Sequence, residues 1–175
     1  KGTKKCYICN YKTSLYENKN SYCSDRIVCD NCAGNRAAEC CGSGVTGSGG
    51  KTTLIKALAS FYKSLGKTVL ITTTTKIQSS LRYNWDADFY ITDEREILSF
   101  EALCPCTVLF ALKGDSQTKL TAPDIRVLEK LREKFDIVLC EADGAKMLPL
   151  KVHTFRDPVV PSFCDYTIAV IGGES

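Results

Sequence analysis

Val45-Thr46-Gly47-Ser48-Gly49-Gly50-Lys51-Thr52-Thr53 is the stretch on which the reading of this chain turns. Glycines permit the tight turns that aim backbone N–H groups inward, and a helix N-terminus adds about half a positive charge at the same point. A Gly-Gly-Lys-Thr-Thr run at the start of a helix is therefore built to cradle a polyphosphate. Gly47, Ser48, Gly49 and Gly50 would supply backbone donors, with Thr53 in the first helical turn. Lys51 would reach the β/γ-phosphates, and the Thr52 hydroxyl would ligate Mg²⁺. The usual pattern has a glycine five residues before the Gly-Lys pair, where this chain has Val45. The form is closer to variant P-loops such as those of Mur ligases and dethiobiotin synthetase relatives. The competing reading is a flexible Gly/Ser linker. Against it, a helix is predicted from Lys51 to Leu65, with Leu54, Leu58, Phe61, Tyr62 and Leu65 as its apolar stripe and Gly66 as its stop. A phosphate loop should also follow a buried strand. Glycines weaken strands, yet a short one is predicted over Cys41–Thr46.

Downstream, strand and helix signals alternate. Thr68–Thr72, Phe89–Ile91, Thr107–Leu112, Ile137–Cys140 and Tyr166–Ile171 read as strands. Pro123–Lys134 reads as a helix with Pro123 in its first turn. The runs at 107–112 and 137–140 are apolar throughout, as strands covered on both faces are. The expected class is α/β: a P-loop NTPase-like, mostly parallel sheet with helices on both faces. Asp136-Ile-Val-Leu-Cys-Glu141-Ala-Asp143-Gly144 reads as a strand with acids at its carboxyl end, where ligands of open α/β sheets sit. Glu141 is assigned to Mg²⁺, and Asp143 to the metal or the attacking water. Lys51, Glu141 and Asp143 are thus the catalytic candidates. The blander reading makes Asp143-Gly144 a plain turn. Thr72-Thr73-Thr74-Thr75-Lys76 follows the second strand. Threonine suits strand ends and side-chain turns. The sharper reading is a switch-like loop that puts the hydroxyls of the run, Thr74 among them, and Lys76 near the γ-phosphate or Mg²⁺.

Eleven cysteines are unevenly placed, seven of them within the first 41 residues. No signal peptide opens the chain and no apolar run approaches the ~18 residues of a membrane span. A reducing, cytoplasmic setting and a metal site are expected rather than disulfides. Cys6-x2-Cys9 and Cys29-x2-Cys32 have four-cysteine zinc spacing. Iron–sulfur or no metal are the alternatives. Residues 1–39 are read as a zinc-ribbon-like module, and 40–175 as the nucleotide-binding domain. So small a module would depend on its metal for stability.

Lys+Arg number 23 against Asp+Glu 20, a net +3 that lies wholly in residues 1–39. Four zinc-bound thiolates would cut that to about +1, so nucleic acid is not expected despite Tyr7, Tyr11, Tyr16 and Tyr22 among lysines. A protein-docking or stabilising role suits the module better. Cys104-Pro105-Cys106 invites a redox reading, against the commoner one of small buried hydrophobes. The only histidine, His153, has no acid or nucleophile set around it. The chain opens on Lys1 and closes as if leaving a strand, so it is expected to continue beyond Ser175.

Five runs occur in one order: Gly47–Thr53; Val69–Ile77; Lys119–Thr121; Glu141–Lys146; and Pro149-Leu150-Lys151 with Asp157-Pro-Val-Val-Pro161. Together, over residues 45–171, they resemble the YqeC-type proteins, described as accessory to selenium-dependent molybdenum hydroxylases or as selenium-cofactor biosynthesis proteins. The resemblance implies a cytoplasmic protein that uses ATP or GTP with Mg²⁺ in maturing such a hydroxylase or its cofactor, with a protein partner in that process. It implies that Lys146, Lys151 and Asp157 lie on a substrate- or partner-facing loop. Asp157 stands where the family pattern has glutamate. Two rivals stand beside it: an ATP-dependent ligase or kinase acting on a small cofactor precursor, and a non-enzymatic zinc-ribbon adaptor with a degenerate P-loop.

Overall fold

Glycines at 42, 44 and 47 do not prevent a strand before the glycine-rich loop; they let one pack closely. In the computed structural model, which describes residues 6–8, 41–47, 49–142 and 160–171, β2 spans Cys41–Gly47 and is buried along nearly its whole length. A Cβ on Gly42 would stand 2.8 Å from the Phe163 carbonyl oxygen, and one on Gly44 would stand 2.5 Å from a Val160 methyl. The small residues thus allow segment 160–165 to lie directly on one face of β2. On the other face Cys41 and Val45 enter the core.

After β1 (Cys6–Ile8) and β2 come helix α1 (Lys51–Ser64), β3 (Val69–Thr73), β4 (Lys76–Gln78) and β5 (Phe89–Ile91). Then follow α2 (Glu94–Ser99), β6 (Thr107–Phe110), β7 (Leu112–Lys113), β8 (Lys119–Thr121), α3 (Ile125–Arg132), β9 (Ile137–Glu141) and β10 (Tyr166–Val170). The main sheet has seven strands in the order β1-β10-β2-β9-β3-β6-β5. Every pairing from β10 to β5 is parallel, and β1 alone is antiparallel, against β10. This is the mixed α/β class with a mostly parallel sheet. Cys6–Ile8 adds to the same sheet as the rest of the chain, while the 39/40 boundary lies outside the described residues. A small antiparallel sheet, β4-β8-β7, is built from the segments that leave β3 and β6.

Two apolar layers cover the main sheet. Ile55, Leu58, Ala59 and Tyr62 of α1 pack with Val45, Ile71, Leu139 and Ile168 on one face. Leu128 and Leu131 of α3, Phe135 and Ile97 pack with Leu70, Val108, Phe110 and Val138 on the other. The alternation along β3 and β9 follows the two-residue period of a strand.

Four expectations need correction. The buried stripe of α1 runs through Ile55, Leu58, Ala59 and Tyr62, whereas Phe61 and Leu65 are 40% and 45% exposed. Leu54, Leu58 and Tyr62 of the predicted stripe do pack on the core, and Ile55 and Ala59 complete the buried face. The predicted strand 107–112 divides at Ala111: Leu112–Lys113 leaves the main sheet to pair with β8. Pro123 precedes the last long helix rather than opening it, and the Asp124 side chain accepts from the Arg126 N–H as its N-cap. Helix α2 was not predicted. Its signal is Asp93, which accepts from the N–H groups of Arg95 and Glu96, with Glu96 in the third helical position.

Candidate functional site at the carboxyl edge of the sheet

The chain leaves β2 toward β3 through α1 on one side and reaches β10 from β9 on the other, so connections diverge around β2 and β9. A crevice opens outside the carboxyl ends of such strands. Here β2 delivers Gly47 to that edge and β9, paired in register Val45↔Glu141, delivers Glu141.

Gly47, Gly49 and Gly50 all have positive φ, at 102°, 54° and 95°. A side chain at Gly47 would also collide with the Val170 carbonyl oxygen at 2.2 Å. The loop therefore takes a course open to glycine. Gly50 is the N-cap of α1 and no side chain caps the helix, so the positive end of a 14-residue helix faces the crevice. Ser48 lies outside the described residues.

Lys51 is 9% exposed. Its Nζ donates to the Gly47 carbonyl oxygen at 2.7 Å and stands 3.9 Å from Glu141 Oε1. Burial raises the Glu141 pKa, and the nearby Lys51 ammonium partly opposes the rise. A desolvated carboxylate sharing one ammonium at that distance is poorly compensated, and gains from a further cation. Thr52 is the second residue of α1, so a hydroxyl stands at the helix start and a carboxylate at the end of β9. Thr53 is exposed on the outer side of the same turn.

The threonine run fastens β3 to β9. Thr73 Oγ1 donates to the Glu141 carbonyl oxygen at 2.8 Å, and the Thr74 N–H donates to the same oxygen at 3.1 Å. Thr74 Oγ1 donates to the Ala142 carbonyl oxygen at 3.2 Å. The Thr75 N–H returns to Thr73 Oγ1 at 3.0 Å. Thr74 is thus brought to the site, while Lys76 is the exposed first residue of β4, paired with Thr121. Thr73 was named only as one of the threonine run, and its tie to β9 was not foreseen. Its place at the end of an apolar strand is the signal that could have found it.

Across the sheet from α1 is a cleft of about 410 Å³, lined among the described residues by Thr74, Ala122, Pro123, Ile125 and Val160–Ser162. Below it, Asp165 ties three elements together. Its carboxylate accepts from the Gly42 N–H at 2.9 Å and from Arg132 of α3 at 3.0 Å.

Asp143, Lys146, Lys151, His153 and Asp157 lie outside the described residues, as do Cys9, Cys29, Cys32 and the side chain of Cys6. Among the described residues no group of three or more His, Cys, Asp or Glu is gathered to hold a metal. Nor is any described helix long and apolar enough to cross a membrane. Burial pushes the Cys106 thiol up, the wrong direction for a reactive thiolate, while Cys104 is exposed.

The family model described as YqeC protein matches residues 44–175. The chain belongs to the YqeC family. A curated relative from Escherichia coli (strain K12), described as "Uncharacterized protein YqeC", is 32% identical over 133 residues. That match covers 75% of this chain and 51% of the relative, so the chain spans about half the relative's length. No solved structure matches the chain significantly.

Proposed function

We propose that this YqeC-family chain binds ATP or GTP with Mg²⁺ between the ends of β2 and β9, as a P-loop nucleotide-binding domain does. We further propose that it couples hydrolysis or phosphoryl transfer to maturation of a selenium-dependent molybdenum hydroxylase or its selenium-containing cofactor. The observation that carries the nucleotide reading is the approach of Lys51 Nζ to within 3.9 Å of Glu141 Oε1 beside an uncapped helix start. The selenium context is supported by the family resemblance of the five sequence runs.

The residues divide the work. Backbone N–H groups of the loop and of the first turn of α1 orient the phosphates. The Lys51 ammonium, held on the Gly47 carbonyl, needs only a side-chain rotation to reach the anion. Thr52 and Glu141 would hold Mg²⁺, which when bound neutralises developing phosphate charge. Thr73 and Thr74 fix the backbone of the carboxylate strand so that Glu141 does not drift. Asp143 is retained as the water- or metal-side acid, Lys76 as a further contact, and Cys6, Cys9, Cys29 and Cys32 as a structural zinc site.

The test is titration of ATP and GTP, with and without Mg²⁺, into wild type and Lys51→Ala. The variant is expected to lose about 2–5 kcal/mol of binding, the scale for truncating one partner of a buried charge pair. Equal affinity in both proteins would refute the assignment. A ligase or kinase acting on a small cofactor precursor is the second reading, favoured by the cleft beside Thr74. It requires phosphate release that depends on a small acceptor, whereas a switch-like accessory protein releases phosphate slowly without one. The adaptor reading rested on a weak strand before the loop, and β2 is a seven-residue strand.

A further inference from the structure

Strand β5 ends the main sheet on the side away from β1, and no described strand pairs with its outer edge. An edge strand presents unpaired N–H and C=O groups to any further strand, and charge or Pro usually blunts it. Phe89-Tyr90-Ile91 carries neither. Phe89 and Tyr90 are instead 44% and 42% exposed. Their pairing with Val108 and Leu109 places Phe89 on the α3 face of the sheet and Tyr90 on the α1 face. The Phe89 ring meets Phe100 edge-on at 5.1 Å, and Phe100 stacks on the buried Phe135 at 6.2 Å. An apolar row thus runs from the core out to the open edge. A strand laid along β5 would extend that row on one face and cover Tyr90 on the other.

The charge beside the edge decides what such a strand carries. Asp86 and Asp88, which precede β5, are matched by Lys56 and Lys63. Asp93, Glu94, Glu96 and Glu101 come after it, the first two close to its carboxyl end and the last next to Phe100. Arg95 stands in the same segment, and Lys134 donates to the carbonyl oxygens of Leu98 and Phe100. Four carboxylates against these two cations leave the margin of β5 negative. A second copy joined edge to edge across a two-fold axis would bring two such margins together, and like charges across strands destabilise a pairing. A strand that brings cations gains where a second copy loses.

We infer that β5 is a docking edge for a partner protein, which adds to the sheet an extended segment of apolar residues bracketed by Lys or Arg. Main-chain hydrogen bonds and contact with Phe89 and Tyr90 supply the affinity, and the flanking cations select the partner. In the sheet order β5 lies four strands from β2, roughly 19 Å away. The edge and the phosphate cradle are therefore separate sites.

The experiment follows the fluorescence anisotropy of a labelled, end-blocked peptide, Lys-Lys-Val-Ile-Val-Lys-Lys, as the full chain is added. One control peptide has Glu in place of every Lys. The other is N-methylated along the apolar run, which removes its main-chain donors. The Lys peptide is expected to bind saturably, about tenfold or more tightly than either control. Tyr90→Lys, which sets a cation on the edge, and the double variant Glu94→Lys with Glu101→Lys are each expected to weaken it about tenfold or more. The two control peptides on wild type decide the matter if a variant fails to fold, as judged by its melting transition. No binding of the Lys peptide, equal binding of either control, or unchanged affinity in Tyr90→Lys overturns the inference. Sedimentation equilibrium covers the other occupant: a wild-type dimer that Tyr90→Lys turns into monomer assigns the edge to a second copy and overturns it too. ATP titration of Tyr90→Lys is expected to match wild type, so the nucleotide reading stands or falls by itself.

Discussion

Glu141 shows the cost of the site at the level of one residue. Its pKa is raised first by burial, so the folded protein holds the proton more tightly than the unfolded chain does. A carboxylate shifted this way contributes stability that is full below the ordinary value of 4.5 and is lost as pH rises through the folded value. Glu141→Gln mimics the protonated form. It is expected to melt at the same temperature as wild type near pH 4, and higher than wild type at pH 7. Thermal melts across pH 4–8 check this, and a difference that stays flat with pH would show that the buried charge costs nothing. The same variant should lose Mg²⁺-dependent nucleotide binding. Stability gained with function lost is the signature of a destabilised active-site group. Lys51 at a helix start and Glu141 at a strand end were legible in the sequence as positions in the fold, because glycine placement and an apolar run mark those two ends. Thr73 was not, because its role is a hydrogen bond to a carbonyl 68 residues away.

Strand β2 is the element on which the rest depends. Read locally, its three glycines argue against a strand. In the fold, the Cβ they lack would fall on Phe163, Val160 and Val170. Gly42→Ala is expected to destabilise the protein by about 1–3 kcal/mol, the usual cost of overpacking. The clash is with backbone, which cannot rotate away. Chemical denaturation measures it, and a loss below about 0.5 kcal/mol would mean that segment 160–165 can lift from the sheet. The start of β9 has a comparable fastening. Asp136 Oδ2 accepts from both the N–H and the hydroxyl of Thr68, at 2.7 and 2.8 Å. Asp136→Ala leaves that pair of donors at the mouth of β3 unmatched, and should cost about 1–3 kcal/mol in the same assay while leaving nucleotide affinity unchanged. Such long-range partners explain why strand existence was predictable and strand ends were not.

At the scale of the molecule, β1 carries the first residues of the chain onto the open edge of β10. If Cys6, Cys9, Cys29 and Cys32 form the proposed zinc site, metal would order the segment that covers this edge. Purified protein is then expected to contain about one zinc per chain by atomic emission, and Cys32→Ser to lose it. Chelation should lower the melting temperature of the whole domain rather than produce a separate early transition, because the strand is continuous with the main sheet. Full zinc content in Cys32→Ser would remove that cysteine from the site.

The sequence by itself determined the α/β class, the strand–loop–helix unit at residues 41–64 and the YqeC resemblance. Those follow from short-range signals: period, glycine placement, helix start and acid at a strand end. Only the tertiary structure decided that β2 and β9 are neighbours, that Lys51 faces Glu141, and that the segments around Thr74, Pro123 and Pro161 close one cleft. Each of those facts depends on which strands pair, and pairing is settled by burial on both faces of the sheet at once, which no local window of residues can express.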